Sequence, residues 1–217
     1  AGELHTVYDA VHKLTVVEGD TNGDKIADFG IELTGNLALG TGDFTAASIV
    51  HAVTITGDNN ANTLTGTGVD EIILGLGGND KITGLGGDDT ITGGAGNDTV
   101  DGGEGNDTYN VGLGDDFDLY KDTGTTGADK ILATADNVAI GLQSGLGPAS
   151  GIEAISANGH AGVTIAGSTG TDVLDFSATA LTGIMEIDGG AGNDKVTGSA
   201  AADLIAGGTG IDMLTGG

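Results

Sequence analysis

A nine-residue period dominates this chain of 217 residues. Six consecutive units begin at Gly57 and end with Asn110, and the clearest of them read GLGGNDKIT, GLGGDDTIT, GGAGNDTVD and GGEGNDTYN. Three further units in the same frame start at Gly189, and an isolated unit, GSTGTDVLD, starts at Gly167. A fixed period of this kind predicts a solenoid in which each unit packs only on its neighbours.

Two positions of the unit carry most of its chemistry. Position six is acidic in all units but the first, which has Asn62, and position eight is apolar in every unit. The glycine-rich first half tolerates the backbone of a tight turn, and the last three residues form a short strand whose position eight points inward. Because two units make one coil of about 18 residues, acids two units apart, such as Asp80 and Asp98, are expected to stack.

The stacked acids oppose folding. The chain has 32 acidic and 6 basic residues, for a net charge of −26. At a strand spacing of about 4.8 Å, two carboxylates repel by about 0.9 kcal/mol in bulk water and about 3.5 kcal/mol at a dielectric near 20. One inward aliphatic side chain per unit contributes roughly 1.5–3 kcal/mol, against an ordering cost of about 1–2 kcal/mol per residue. The ion-free repeats are therefore expected to be unfolded or molten.

A hard divalent cation reverses this balance. Cysteine is absent, so soft metals lose their usual ligands and oxygen ligands predominate. Ca²⁺ accepts 6–8 flexible oxygen ligands, whereas Mg²⁺ needs a stricter octahedron. At a Kd on the order of 10⁻⁴ to 10⁻³ M, millimolar Ca²⁺ adds about 1–2 kcal/mol per site, and cytosolic Ca²⁺ adds almost nothing. The pattern predicts a chain that folds on binding several Ca²⁺ ions outside the cell.

Composition also argues against other function classes. All six basic residues are lysines, so nucleic acid and anionic membranes are poor electrostatic partners. No apolar run reaches the length of a membrane span. The four histidines are scattered and no nucleophile elbow is visible, so we expect no enzyme, although sequence alone leaves a Ser-His-Asp arrangement open. The repeat pattern runs to Gly217, which is typical of a fragment of a longer chain.

These units closely resemble the GGxGxDxUx nonapeptides of the RTX (repeats-in-toxin) family of Gram-negative bacteria. The resemblance implies a right-handed parallel β-roll in which carbonyls of the glycine loops and the position-six acids bind Ca²⁺. Glu71 and the loop at 200–202 depart from the family pattern. The metal ligands that the resemblance implies are Asp80, Asp89, Asp98, Asp107, Asp172, Asp194, Asp203 and Asp212, with Gly75, Gly77, Gly84, Gly86, Gly93 and Gly102.

A second candidate metal site lies outside the repeats. The stretch DTNGDKIAD matches alternate positions of an EF-hand loop with Asp20, Asn22, Asp24 and Asp28. It lacks the bidentate glutamate of that loop, so a solvated turn between two strands is the alternative. The wider stretch from 17 to 44 resembles the closing segment of serralysin-type RTX domains.

The expected architecture is all-β, with two roll blocks at 57–110 and 158–217. We expect residues 1–56 to form a β-rich cap or the tail of a preceding module, with strands near 4–8, 12–18, 27–33 and 48–56. Residues 111–157 are expected to form a β-rich spacer that covers the first roll. The resemblance implies a calcium-binding module of a larger secreted bacterial protein, exported by type I secretion machinery and serving in folding and display outside the cell. One alternative is a section of a surface adhesin or surface-layer protein that binds polysaccharide or neighbouring copies. Another is a non-catalytic module attached to an alginate-modifying enzyme, or such an enzyme itself.

Overall fold

A computed structural model describes the backbone of residues 3–9, 14–20 and 29–34, and the backbone and side chains of residues 53–217. These residues form strands, turns and bends without a helix. The chain divides into two compact units, Ala1–His51 and Ala52–Gly217. Each is described by itself.

The first unit contains a three-stranded antiparallel sheet in the order β1-β2-β3. Its strands are β1 (Glu3–Asp9), β2 (Leu14–Asp20) and β3 (Phe29–Thr34). They lie close to the strands predicted at 4–8, 12–18 and 27–33. The candidate EF-hand-like loop mostly lies outside the described residues: Asn22, Asp24 and Asp28 belong to that part, and Asp20 is described only as the last backbone position of β2. That site stays a prediction.

The second unit is a parallel β-solenoid of about nine turns. One wall consists of β4 (Val53–Thr56), β6 (Glu71–Gly77), β8 (Thr90–Ala95), β10 (Thr108–Val111), β12 (Lys130–Ala133), β14 (Ala154–Ser156) and β17 (Ala180–Thr182). The second wall consists of β5 (Thr63–Thr65), β7 (Lys81–Gly86), β9 (Thr99–Glu104), β11 (Phe117–Lys121), β13 (Ala139–Leu142), β15 (Thr164–Gly167), β18 (Ile187–Asp188) and β20 (Ile205–Ala206). A third sheet consists of β16 (Val173–Asp175), β19 (Lys195–Thr197) and β21 (Met213–Thr215). The predicted parallel β-roll is confirmed.

The coil length changes along the solenoid. In the first block, β6 pairs with β8 at an offset of 18 residues, as the two-unit coil predicts. The offset grows to 22 between β10 and β12, 24 between β12 and β14, and 26 between β14 and β17, and returns to 18 between β19 and β21. Residues 111–157, expected to be a spacer over the first roll, supply β11 to β14 to the same two walls. The middle coils thus keep the strand stacking while their turns become longer.

The core is a single column of side chains between the walls. Position eight of the repeats supplies Ile73, Ile82, Ile91, Val100 and Tyr109, each at most 1% exposed. The middle coils continue this column with Ile131, Ile140, Ile155 and Ile165, which are fully buried. Both walls contribute side chains to this core, with one or two from each strand of the repeats and middle coils. The position-six residues lie at its edge, where each turn meets the following strand.

Candidate metal centre

The position-six acids form a hydrogen-bonded ladder along the solenoid. Oδ1 of Asp98 accepts the backbone N–H of Asp80 at 2.7 Å, and Oδ1 of Asp107 accepts that of Asp89 at 2.8 Å. The second block repeats this contact, because Oδ1 of Asp212 accepts the N–H of Asp194 at 3.0 Å. The expected stacking of acids 18 residues apart is therefore present, and each contact fixes the orientation of its carboxylate.

The second oxygen of most ladder carboxylates has no partner. Oδ2 is buried without a hydrogen bond in Asp80, Asp89, Asp98, Asp107 and Asp194. These side chains are at most 3% exposed. A buried anionic oxygen without a donor or a counter-ion is strongly unfavourable. Five such oxygens, in stacks that belong to both repeat blocks, therefore favour a bound cation.

Burial makes the ionised form of these groups costly. It raises the pKa of Asp89, Asp98 and Asp107 from 3.8 to about 6, although a backbone N–H bond to each carboxylate acts in the opposite direction. Repulsion by stacked carboxylates, such as Glu71 for Asp89 and Asp80 for Asp98, raises the pKa further. A cation in the ladder would remove both penalties.

Backbone carbonyls face the unpartnered oxygens. A Cβ placed on Gly84 would overlap Oδ2 of Asp89 and lie 2.5 Å from the carbonyl oxygen of Gly102, one coil further on. A Cβ on Gly75 would likewise overlap both Oδ2 of Asp80 and the carbonyl oxygen of Gly93. The position-one glycine thus lets a carboxylate oxygen and a carbonyl oxygen approach the same point, where a side chain would collide with both. These are the hard oxygen donors that Ca²⁺ prefers, so the residues present fit that ion.

The implied glycine ligands are not equivalent. Gly75, Gly84, Gly93 and Gly102 all border an unpartnered carboxylate oxygen in this way. Gly77 and Gly86 do not, because a Cβ on either would meet its nearest neighbour only at 3.6–3.7 Å. A side chain at either glycine would make only ordinary van der Waals contacts.

The turns themselves stack backbone on backbone. Gly94 and Gly96 have φ values of +93° and +118°, and a Cβ on Gly96 would overlap the carbonyl oxygen of Gly78 in the coil before. Leu76 and Leu85 occupy the position of Gly94 in their own units and also have positive φ values, +78° and +82°. The left-handed conformation is thus a property of the turn, and it is kept even where a leucine must adopt it.

Three position-six acids lie in a different kind of turn. Oδ2 of Asp172 accepts the N–H and the hydroxyl of Ser168 at 2.7 and 2.9 Å, and Asp203 contacts Ser199 in the same way. Glu71 accepts the N–H and hydroxyl of Thr67. In the unpartnered turns the corresponding residue, four before the acid, is Leu76, Leu85, Gly94, Gly103 or Gly190. A hydroxyl at this position supplies the donor that the other turns lack.

The ladder extends beyond the acids that the nine-residue frame identifies. Asp118 accepts the N–H of Asp98, Asp129 accepts that of Asp107, and Glu153 accepts that of Asp129, at 2.7–2.8 Å. The frame misses them because their coils are 20, 22 and 24 residues long. A local signal was present, since GADKI and EAI keep an acid two residues before an aliphatic side chain.

The two sides of the ladder end differently in the middle coils. Oδ2 of Asp118 accepts the hydroxyl of Tyr120 at 2.8 Å, so a side-chain donor completes that side. On the other side, Asp107, Asp122 and Asp129 bring carboxylate oxygens within 4.8 Å of one another. Burial raises the pKa of Asp118 and Asp129 to about 7.

His160 is the one histidine whose side chain the structure describes. Its Nδ1 lies 3.2 Å from the carboxylate of Asp136, whose side chain is 64% exposed. The pair lies at the surface and has no buried acid or base. It therefore offers no support for an acid-base catalytic site.

Residues 65–100, 83–118 and 186–214 match the family described as RTX calcium-binding nonapeptide repeat (4 copies). The matches fall within both repeat blocks, and those that begin in the first block extend to Asp118 in the middle coils. No curated protein matches the chain in sequence. Among the residues that the structure describes, no helix has the length and apolarity needed to cross a bilayer.

Proposed function

We propose, for a chain that carries RTX calcium-binding nonapeptide repeats, that it is a Ca²⁺-binding module of a larger secreted bacterial protein. The observation that carries this proposal is the row of five buried carboxylate oxygens without hydrogen-bond partners. Ca²⁺ bound along the ladder would neutralise the negative charge of these carboxylates and bind their unpartnered oxygens.

We assign the ions to the turns whose acid is unpartnered. The proposed carboxylate ligands are Asp80, Asp89, Asp98, Asp107 and Asp194, with Asp212 continuing the second block. The carbonyls of Gly93 and Gly102 border the same spaces and are proposed as further ligands. Hydrogen bonds hold these carboxylates through Oδ1, and the unpartnered Oδ2 would bind the ion. The proposed carboxylate and carbonyl ligands therefore take up their positions only when the next coil is folded against the turn.

The hydroxyl-bearing turns are proposed to close without an ion. In the turn of Asp172 the donors come from Ser168, and in the turn of Asp203 they come from Ser199. These turns interrupt the row of ion sites at the start of the second block and in its middle. We therefore expect the number of bound ions to be smaller than the number of nonapeptide units.

The role that follows is a folding switch controlled by the Ca²⁺ concentration. At cytosolic Ca²⁺ the buried carboxylates oppose folding, and the chain stays unfolded enough for export by type I secretion machinery. At millimolar Ca²⁺ outside the cell each site adds about 1–2 kcal/mol, and the solenoid forms. The folded module then serves as a rigid scaffold that displays an attached domain.

Circular dichroism of the chain tests this function. In EDTA we expect the spectrum of an unfolded or molten chain, and on adding millimolar Ca²⁺ a cooperative change to β structure. Mg²⁺ at the same concentration is the control and should produce a smaller change because it demands octahedral geometry. A chain that is fully β-structured in EDTA and unchanged by Ca²⁺ would contradict the proposal.

A further inference from the structure

The first repeat block ends against a loop that does not follow the repeat. Residues 122–129 read DTGTTGAD and stack on the turn 102–107 of the last unit of that block. The N–H of Gly103 donates to Oδ1 of Asp122 at 2.8 Å, and the N–H of Asp107 donates to Oδ1 of Asp129 at 2.7 Å. The loop therefore occupies the place of the next nonapeptide turn, with an aspartate at each end.

Three carboxylates converge at this junction. Asp107, Asp122 and Asp129 each offer an oxygen, and these oxygens all lie within 4.8 Å of one another. The side chains are 0%, 9% and 3% exposed. Two oxygens bound to the same Ca²⁺ at 2.3–2.6 Å are at most about 5 Å apart. The spacing of the cluster is thus that of a shared ion.

A second observation points to a ligand at the same place. Oδ1 of Asp107 accepts the N–H of Asp89, but its Oδ2 is buried and has no partner. A Cβ placed on Gly102 would overlap this Oδ2 and lie 2.6 Å from the hydroxyl oxygen of Tyr109. That hydroxyl is already engaged, because it accepts the N–H of Gly102 and donates to the carbonyl of Lys121. The nearby hydroxyl of Tyr109 therefore does not serve as a donor to the unpartnered oxygen.

We propose that Asp107, Asp122 and Asp129 bind one Ca²⁺ ion at the junction between the first block and the middle coils. Two of the three ligands come from residues outside the nonapeptides, so the site belongs to this chain's own middle segment. The inference rests on the proposed function, because Asp107 is also a ladder acid. Its consequence is that Ca²⁺ orders the long turn at 122–129 together with the repeats, and so joins the two blocks into one cooperative solenoid.

Asp122 is the residue to change, because it lies outside the ladder. Asp122→Asn keeps an oxygen to accept the Gly103 N–H and removes the charge from the site. Asp129→Asn is the second variant and keeps the acceptor for the Asp107 N–H in the same way. Glu186→Gln is the charge-matched control, since Glu186 is half-buried and lies outside both the ladder and the junction cluster.

Two measurements on the full chain report on the site. Equilibrium dialysis at saturating Ca²⁺ counts bound ions, and tyrosine-sensitised Tb³⁺ emission reports on an ion close to Tyr109. A Tyr8→Phe background leaves Tyr109 and Tyr120, whose rings are 5.6 Å apart, as the sensitisers. We expect Asp122→Asn and Asp129→Asn each to lose one Ca²⁺ equivalent and to lower the emission severalfold, and Glu186→Gln to change neither.

The outcomes separate this site from the general function. If both junction variants keep the parental Ca²⁺ count and emission while Asp89→Asn lowers the count, the junction site is refuted and the proposed function stands. If the parent chain binds no Ca²⁺, both are refuted. If one junction variant fails to fold in Ca²⁺, the other variant tests the site. The parent chain gives a further test: if it binds Ca²⁺ but shows no tyrosine-sensitised Tb³⁺ emission, the junction site is also refuted.

Discussion

Replacing Asp89 with asparagine should stabilise the ion-free solenoid and reduce the stability that Ca²⁺ adds. Asp89 is 1% exposed, its Oδ1 accepts the N–H of Glu71 at 2.8 Å, and its Oδ2 has no partner. Asparagine keeps the acceptor at Oδ1. Its amide NH₂ group replaces Oδ2 beside the carbonyl of Gly102. The contact between two oxygens in the parent chain thus becomes a contact between a donor and an acceptor.

The magnitude follows from burial and from the ion. A pKa raised from 3.8 to about 6 corresponds to about 3 kcal/mol against the ionised form, and solvent screening in the turn reduces this to on the order of 1–2 kcal/mol. Asp89→Asn should therefore stabilise the ion-free fold by about 1–2 kcal/mol. In about 10 mM Ca²⁺, a site with a Kd near 1 mM contributes about 1.4 kcal/mol, which the variant loses from the Ca²⁺-dependent part of its stability.

Urea denaturation at neutral pH, in EDTA and in Ca²⁺, measures both effects. Where the ion-free chain is unfolded, the concentration of an osmolyte that folds it replaces the urea midpoint. Asp172→Asn is the matched control, because Ser168 already donates to its carboxylate. It should lose stability equally in both conditions and keep the parental Ca²⁺ dependence. A loss of stability in EDTA for Asp89→Asn, or an unchanged Ca²⁺ increment, would refute the reasoning.

Other perturbations give further tests. In EDTA, the free energy of unfolding should rise as the pH falls from about 8 to about 5. The pKa values of Asp118 and Asp129 are raised to about 7 in the folded state, so the folded state takes up protons that the unfolded state does not bind until below about pH 4. A CD titration that shows unfolding over this range would contradict the prediction. In thermal melts in Ca²⁺, Gly93→Ala should lower the free energy of unfolding by more than about 2 kcal/mol, because its Cβ overlaps a ladder carboxylate. Gly68→Ala is the control and should be nearly neutral, because its Cβ meets nothing within 4 Å. Ser168→Ala should lower the free energy of unfolding by about 1 kcal/mol, equally in Ca²⁺ and in EDTA. A loss of stability seen only in Ca²⁺ would show that this turn binds an ion.

The repeat frame predicts the fold well because one spacing determines both the turn and the core. The offset of 18 residues between stacked strands, the parallel pairing and the buried column at position eight all follow from it, and Ile73 stacks on Ile91 as expected. The frame underestimates strand length. β7 runs from Lys81 to Gly86, through residues expected in the turn, because its glycine backbone also pairs with β9.

The candidate site could be predicted only where the spacing is constant. The sequence identifies the acids of the ladder and shows that the loop at 200–202 departs from the pattern, but it does not show that Ser199 donates to the carboxylate of Asp203 while Oδ2 of Asp194 has no partner. That difference depends on the residue four positions earlier and on its φ angle. The repeat frame does not identify Asp122 and Asp129, because the longer coil changes their spacing from the repeats. Their contacts with Gly103 and Asp107 still follow the stacking of the repeats.

The ladder gives each coil two unlike faces. Toward the N-terminal side a coil presents carboxylate oxygens, and toward the C-terminal side it presents N–H groups, as the contact from Asp80 to Asp98 shows. Two copies of one face offer donor to donor or acceptor to acceptor, so coils can be joined only head to tail. The solenoid is in this sense a polar filament, and any segment that extends it, from this chain or from another, has to arrive with the matching end and the same direction.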